Sequence, residues 1–145
     1  MILISHRGNV SGIDVENENR PAYIERAIAL GYDVEIDIFF VNDKLYLGHD
    51  EPQYNLSIDW LIKWKTKLWI HCKDLASLSW ANQNINEFNY FFHDKDKATL
   101  TSKNIIWAFP GNQPLKNSVA VLPEIFNDNL SQCIGVCSDE ILKYK

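Results

Sequence analysis

The sequence predicts an α/β protein of short parallel strands joined by few, brief helices. Two patterns predict it: strand and helix signals alternate along the chain, and seven or so short apolar runs each end in a polar or charged residue. Parallel strands read this way when their C-terminal ends share one face. Residues 1–4 form the first apolar run, closed by Gly8. Pro21 then starts a helix whose apolar stripe, Ala22, Tyr23, Ala27, Ile28 and Leu30, stops at Gly31, with proline at the first turn and glycine past the last. Residues 33–41 alternate acidic and apolar side chains with the period of a strand. Asn42-Asp43 makes a turn, and residues 44–47 pair back, ending at Gly48-His49-Asp50. Residues 58–64 read as a helix, 68–72 as a strand, 75–82 as a helix and 89–92 as a strand. Further on, 105–109, 119–122 and 133–136 read as buried strands between links rich in Asn, Pro, Gly and Ser, with brief helices at 125–130 and 138–145.

A chain of 145 residues fits one domain, residues 1–145, because a second core would leave both halves marginal. Its hydrophobic fraction of 46% argues for a packed core and against disorder. A net charge of −5 disfavours nucleic acid and anionic membranes as partners, so local basic residues must do any phosphate binding. The three cysteines, Cys72, Cys133 and Cys137, show neither zinc-site spacing nor a disulfide framework, which points to a reduced, cytoplasmic setting. The apolar start before His6-Arg7 is too short for a secretory core, and no run reaches the ~18 apolar residues of a membrane span.

The predicted strand ends carry the chemistry: His6-Arg7, Glu35 and Asp37, His71 and Lys73, His93-Asp94, Trp107, Glu124, and Ser138-Asp139. In a parallel barrel they converge. Glu35 and Asp37 lie two apart on one strand, so they offer two hard oxygens on one face, as Mg²⁺ or Ca²⁺ requires. A solvated strand face is the alternative, but two buried, unpaired carboxylates would be costly. His6 and His49 have the side chain that titrates near pH ~6.5, suited to taking and returning a proton. Arg7 can hold phosphate oxygens through its planar fork or anchor carboxylates. Lys73 can bring a cation to phosphate or simply be solvated, and Trp107 is either core or a stacking face for a sugar or glycerol. No base is placed near Cys137 or Ser138, so both read as structural.

His6-Arg7-Gly8, Glu18-Asn19-Arg20, Ala27, Gly31, Glu35-Ile36-Asp37 and His49-Asp50, in that order and with a helix among them, resemble the glycerophosphodiester phosphodiesterases of the phospholipase C-like phosphodiesterase superfamily. Residues 68–73 and 135–139 resemble the family's third and closing strands more loosely. The resemblance implies a compact (β/α) TIM-type barrel; a chain well short of the ~250 residues usual for that fold implies shortened or missing outer helices. It also implies His6 and His49 as the catalytic pair, Arg7 and Lys73 on the phosphate, and Glu35, Asp37 and Glu18 at a divalent metal ion. His71 stands where the family has a carboxylate. As a ligand it lowers the site's negative charge and favours Mn²⁺ or Zn²⁺ relative to Ca²⁺. Glu124 either restores the missing carboxylate or merely starts a helix, and Glu18 is either a site residue or a helix-entry acid.

The expected function is metal-dependent hydrolysis of a small phosphodiester, with two histidines as general acid and base. The alternative is a repurposed barrel that binds a phosphorylated ligand or a partner protein without cleaving it. If missing helices leave apolar sides exposed, a homodimer would cover them.

Overall fold

The computed structural model describes residues 1–84 and 87–145. In chain order its elements are β1 (Ile2–His6), α1 (Pro21–Ala29), β2 (Asp33–Val41), β3 (Lys44–Leu47), β4 (Tyr54–Leu56), α2 (Ile58–Trp64), β5 (Leu68–Cys72), α3 (Leu75–Gln83), β6 (Asn89–Phe92), β7 (Ala98–Leu100), β8 (Ile106–Ala108), β9 (Ser118–Val121) and β10 (Gly135–Ser138). Two 3₁₀ turns, Pro123–Ile125 and Ile141–Tyr144, take the places of the predicted helices at 125–130 and 138–145.

The strands form one curled, mixed sheet. Parallel ladders run in the order β6-β5-β2-β1-β10-β9-β8. Antiparallel strands are added at two places. The outer half of β2 turns at Asn42-Asp43, both left-handed, into β3, which pairs with β4. At the other end, β7 pairs with β8 from Leu100↔Ile106 to Ala98↔Ala108.

This overturns the expectation of a (β/α) TIM-type barrel. The sheet curls as a half-barrel, and among the described residues no ladder joins β6 to β8. The reason lies in the connections. A parallel strand pair needs a crossover that returns the chain to the same end, usually a helix. Between β6 and β8 the chain instead folds back as β7, which occupies the edge of β8 that closure would need. From β8 to β10 the links carry only the 3₁₀ turn Pro123–Ile125. Neither β4 nor β7 was predicted, since each is three residues long and lacks a sustained alternation. The last strand also starts two residues later than the predicted 133–136.

Local chemistry explains the three helices. Pro21 opens α1, and Ile24, Ala27 and Ile28 form its buried side. Ser57 caps α2 by accepting a hydrogen bond from the Trp60 N–H at 3.2 Å. Asp74 caps α3 by accepting from the Ser77 N–H at 2.7 Å, while Ser77 Oγ faces back to the Asp74 N–H.

Strand alternation divides the sheet into two faces. Val34, Ile36, Ile38, Ile70 and Cys72 point outward and pack with Ile24, Ala27, Leu61 and Ala81 of the helices. Ile4, Trp69, Phe91, Trp107, Val119 and Cys137 point into the curl and form a separate apolar floor. The next inward position along β1, β2 or β5 is then His6, Glu35, Asp37 or His71, which raises these groups above that floor. Because Ile36 is fully buried in the outer core, Ile36→Ala is expected to cost ~2–5 kcal/mol. Ile62→Ala, at a half-exposed position, is expected to cost under ~1 kcal/mol. Urea unfolding of both variants checks this, and equal losses would contradict the layer assignment.

Candidate active site

At the end of β1 the chain makes a sharp turn. Arg7 has φ 55° and Gly8 φ 95°, and a Cβ on Gly8 would lie 2.6 Å from the Tyr23 ring. Only glycine fits there without displacing α1. The turn is pinned by Arg7 N–H donating to the Glu35 carbonyl and Asn19 N–H donating to the Arg7 carbonyl, both at 3.0 Å. It delivers His6 and Arg7 to the mouth of the curl.

Glu35 and Asp37 face inward from β2, and both are buried. His71 of the neighbouring β5 lies opposite Asp37 in the ladder, with its Nδ1 3.1 Å from Asp37 Oδ1 and 3.6 Å from Glu35 Oε1. Asn19 clamps Asp37 from the other side: its Nδ2 donates to Oδ2 at 2.9 Å and its Oδ1 accepts from the Asp37 N–H at 3.0 Å. Arg7 Nε sits 3.1 Å from Asp37 Oδ2, and Lys73 Nζ 3.7 Å from Oδ1. Burial alone would raise the pKa of Asp37, but His71, Arg7 and Lys73 outweigh it and hold the carboxylate well below its usual range.

Glu35, Asp37 and His71 each present a donor atom within 4.8 Å of the others. Glu35 Oε2, Asp37 Oδ1 and His71 Nε2 are buried and make no aligned hydrogen bond. The close His71–Asp37 approach is therefore an ion-pair distance rather than a directed bond. The unpaired atoms do not all converge, since His71 turns Nδ1 to the acids and Arg7 Nε is unpaired as well. What fits a cation is the buried donor set that the three residues present together. Two carboxylate oxygens with one imidazole suit Mg²⁺ or Mn²⁺, and Zn²⁺ as well.

His6 is fixed by a neighbour to which sequence reasoning gave no role. Its Nδ1 lies 2.7 Å from Asp139 Oδ1, and its Nε2 3.8 Å from Glu35 Oε2. Burial pulls the His6 pKa down, but the Asp139 hydrogen bond and the Glu35 charge outweigh it and raise it. Burial pushes Asp139 up, yet the bond from His6 holds it low. Asn9, fully buried, steadies the pair by donating from Nδ2 to Asp139 Oδ1 and to Glu18 Oε1, both at 2.8 Å. The signal for Asp139 was present: it lies two residues beyond the inward-facing Cys137, in the same phase. Asn9 had none, since a buried loop amide follows no period.

His49 stands on a second turn, where Gly48 has φ 155° and a Cβ would meet the Glu51 carbonyl at 2.0 Å. Its Nδ1 is 2.7 Å from Asp50 Oδ1, and both side chains are exposed. His6 and His49 nevertheless line one cleft of about 190 Å³, together with Arg7, Glu35, His71 and Lys73. His93, Trp107, Phe109 and Leu122 form its other wall. An outer cleft of about 460 Å³ continues from it past Glu18, Asn19 and His49.

Two predicted metal ligands are not brought to the cluster. Glu18 accepts from Arg7 at 3.2 Å and from Asn9, on the far side of the guanidinium. Glu124 is exposed and accepts from Ser138 Oγ at 2.8 Å and Tyr144 OH at 3.1 Å. Ser138 is one residue out of phase with the inward Cys137, so this carboxylate belongs to the outer face. Cys137 lies in the floor, and burial pushes its thiol far above the usual range, which fits a structural role.

No protein-family model matches this chain, and no curated protein or solved structure matches it.

The histidines separate by environment. His93 is pushed down to about 4, first by burial and then by the nearby His71 and Lys73 charges. His71 is raised, because the neighbouring Asp37 and Glu35 carboxylates outweigh burial. For His93 the unfolded chain binds the extra proton, so its contribution to stability falls as pH drops from ~6.5 toward 4. The raised His6 and His71 act in the opposite sense, stabilising below ~6.5 and losing that effect as pH rises through their folded values. Histidine ¹⁵N NMR titration of the chelator-treated protein is expected to show His93 protonating near 4 and His6 and His71 above ~6.5. A His93 midpoint near ~6.5 would contradict the packing described.

Proposed function

We propose that the chain is a metal-dependent phosphodiester hydrolase acting on a glycerophosphodiester or a related small phosphodiester, a reading in line with its resemblance to the glycerophosphodiester phosphodiesterases. The observation that supports it most is the set of unpaired, buried donors on Glu35, Asp37 and His71 beside the His6–Asp139 pair. A divalent cation held by those three residues would supply charge neutralisation at a nonbridging phosphoryl oxygen.

The chain's own groups divide the remaining work. Asp139 at Nδ1 fixes the His6 ring so that Nε2 is the atom left for proton transfer. His6 takes the proton from the attacker, a neighbouring hydroxyl of the substrate or, in a diester that has none, water, and His49, across the same cleft, gives one to the leaving oxygen. Where the substrate's own hydroxyl attacks, the roles reverse when water opens the cyclic product. Arg7 is engaged by Asp37 and Glu18, so it anchors carboxylates, while Lys73 lines the cleft and meets phosphoryl oxygens. The acidic chain lacks the charge to track a nucleic acid backbone, which favours a small substrate.

Purified protein supplied with Mn²⁺, Mg²⁺ or Ca²⁺ is expected to hydrolyse bis-p-nitrophenyl phosphate and glycerophosphodiesters, and His6→Ala to lower kcat by about 10²–10⁴. Glu35→Gln is expected to weaken Mn²⁺ binding at least about tenfold by calorimetry. No turnover with any of the three cations, or a His6→Ala variant as fast as the parent, would defeat the proposal.

A further inference from the structure

The two walls of the inner cleft differ in kind. From β1, β2, β5 and the residues that follow them come His6, Arg7, Glu35, His71 and Lys73, the charged wall. From the segments after β6, β8 and β9 come His93, Phe109 and Leu122, with Trp107 of β8 beneath them. The boundary falls where the sheet is open: β6 and β8 share no ladder, and the His93 ring lies on Phe109 with centroids 3.6 Å apart, spanning the gap. His93 also packs against His71 at 5.3 Å, and His71 against Phe91 at 5.0 Å. The ring is thus held from two sides.

His93 Nδ1 is buried with no hydrogen-bond partner, so Nε2 is the ring atom available to a ligand in the cleft it lines. A hydroxyl both donates and accepts, so it satisfies an imidazole nitrogen in either tautomer. Phe109, half-buried at the cleft above the buried Trp107, offers apolar aromatic surface to the C–H side of the same molecule. Charged groups on one wall and a ringed polar nitrogen on the other match a phosphoryl group joined to a polyol.

Resting on the phosphodiesterase reading, we propose that His93 is a specificity-determining residue that binds a hydroxyl of the alcohol group next to the phosphate. The cleft thereby selects diesters of glycerol or a sugar over diesters of alcohols that carry no second hydroxyl. A site built to bond a hydroxyl penalises the analogue lacking it, because a polar group is then left unpaired.

The test compares the parent, His93→Phe, which keeps the stack on Phe109, and His93→Gln, which keeps a polar group. The readout is the ratio of kcat/KM for glycerophosphocholine to that for bis-p-nitrophenyl phosphate. His93→Phe is expected to lower this ratio about tenfold or more, and His93→Gln to restore part of it. A ratio equal to the parent's in His93→Phe overturns the assignment, as does a parallel fall for both substrates, while the phosphodiesterase reading stands. If the parent cleaves neither diester, that reading fails by itself, and calorimetry with glycerol 3-phosphate and ethyl phosphate decides the role of His93. A preference for glycerol 3-phosphate lost in His93→Phe supports it; equal affinities in parent and variant overturn it.

Discussion

Burying Glu35 and Asp37 side by side is the constraint around which the molecule is arranged. They are inward positions of β2, the strand that pairs with β1, β5 and β3, so neither can leave the interior without reversing the outward set Val34, Ile36 and Ile38. Two adjacent carboxylates at that depth repel each other and lose their hydration. The surrounding residues answer this. Asn19 bonds Asp37 twice, Arg7 and Lys73 approach it, and His71 sits between the two acids. What remains is a buried cluster of carboxylate and imidazole groups with several atoms lacking an aligned partner, the feature on which the proposed metal site rests.

The same alternation explains how much could be read from the sequence. In 33–41 an apolar residue at every second position fixes the outward face, so the inward placement of Glu35 and Asp37 followed from period alone. By contrast, 68–72 is apolar on both faces, and His71 stood out only by its place at a strand end and by the resemblance. His6 followed from standing at the end of an apolar run. Residues held by loops had no periodic signal; Asn19 was marked only by the resemblance of Glu18-Asn19-Arg20, and Asn9 not at all. Asn9 and Asn19 are buried polar side chains outside regular elements, and their roles come from partners distant in the chain. Glu124 misled because its proximity to a strand end says nothing of which face that end presents. Its partner Ser138 is outward by one residue of phase.

Closure of the sheet failed as an expectation for a related reason. The apolar runs specify which residues are buried, but ladder partners are chosen by the links between them. Antiparallel β7, short and set among charged residues, claims the free edge of β8. Thr99 Oγ1 donates to the Phe92 carbonyl and Ser102 N–H to the Tyr90 carbonyl, so β7 and its turn lean on β6 without a full ladder. The opening this leaves above the floor is covered by aromatic rings rather than by backbone pairing. Ring faces seal apolar surface but leave edges and nitrogens free, which is why the open side of the half-barrel is also the side that the proposed function gives to the substrate.

The two histidine–aspartate pairs show how depth assigns roles. Both have the same Nδ1 to Oδ1 separation of 2.7 Å. The His6 pair has side-chain exposures of 12% and 11%, against 37% and 91% for His49 and Asp50. In the buried pair the carboxylate is also bonded by Asn9, so the ring has one orientation and Asp139 can stabilise an imidazolium in low dielectric. Around His49 water competes for the same contacts and screens the charge, so Asp50 orients the ring only weakly. A group that must meet a substrate hydroxyl with fixed geometry belongs in the first setting. One that must exchange its proton with solvent between turnovers belongs in the second. On the proposed phosphodiesterase reading, the asymmetry assigns the geometric burden of proton transfer to His6, and to His49, mounted on the Gly48 turn, the part of the partner that connects the cleft to bulk water.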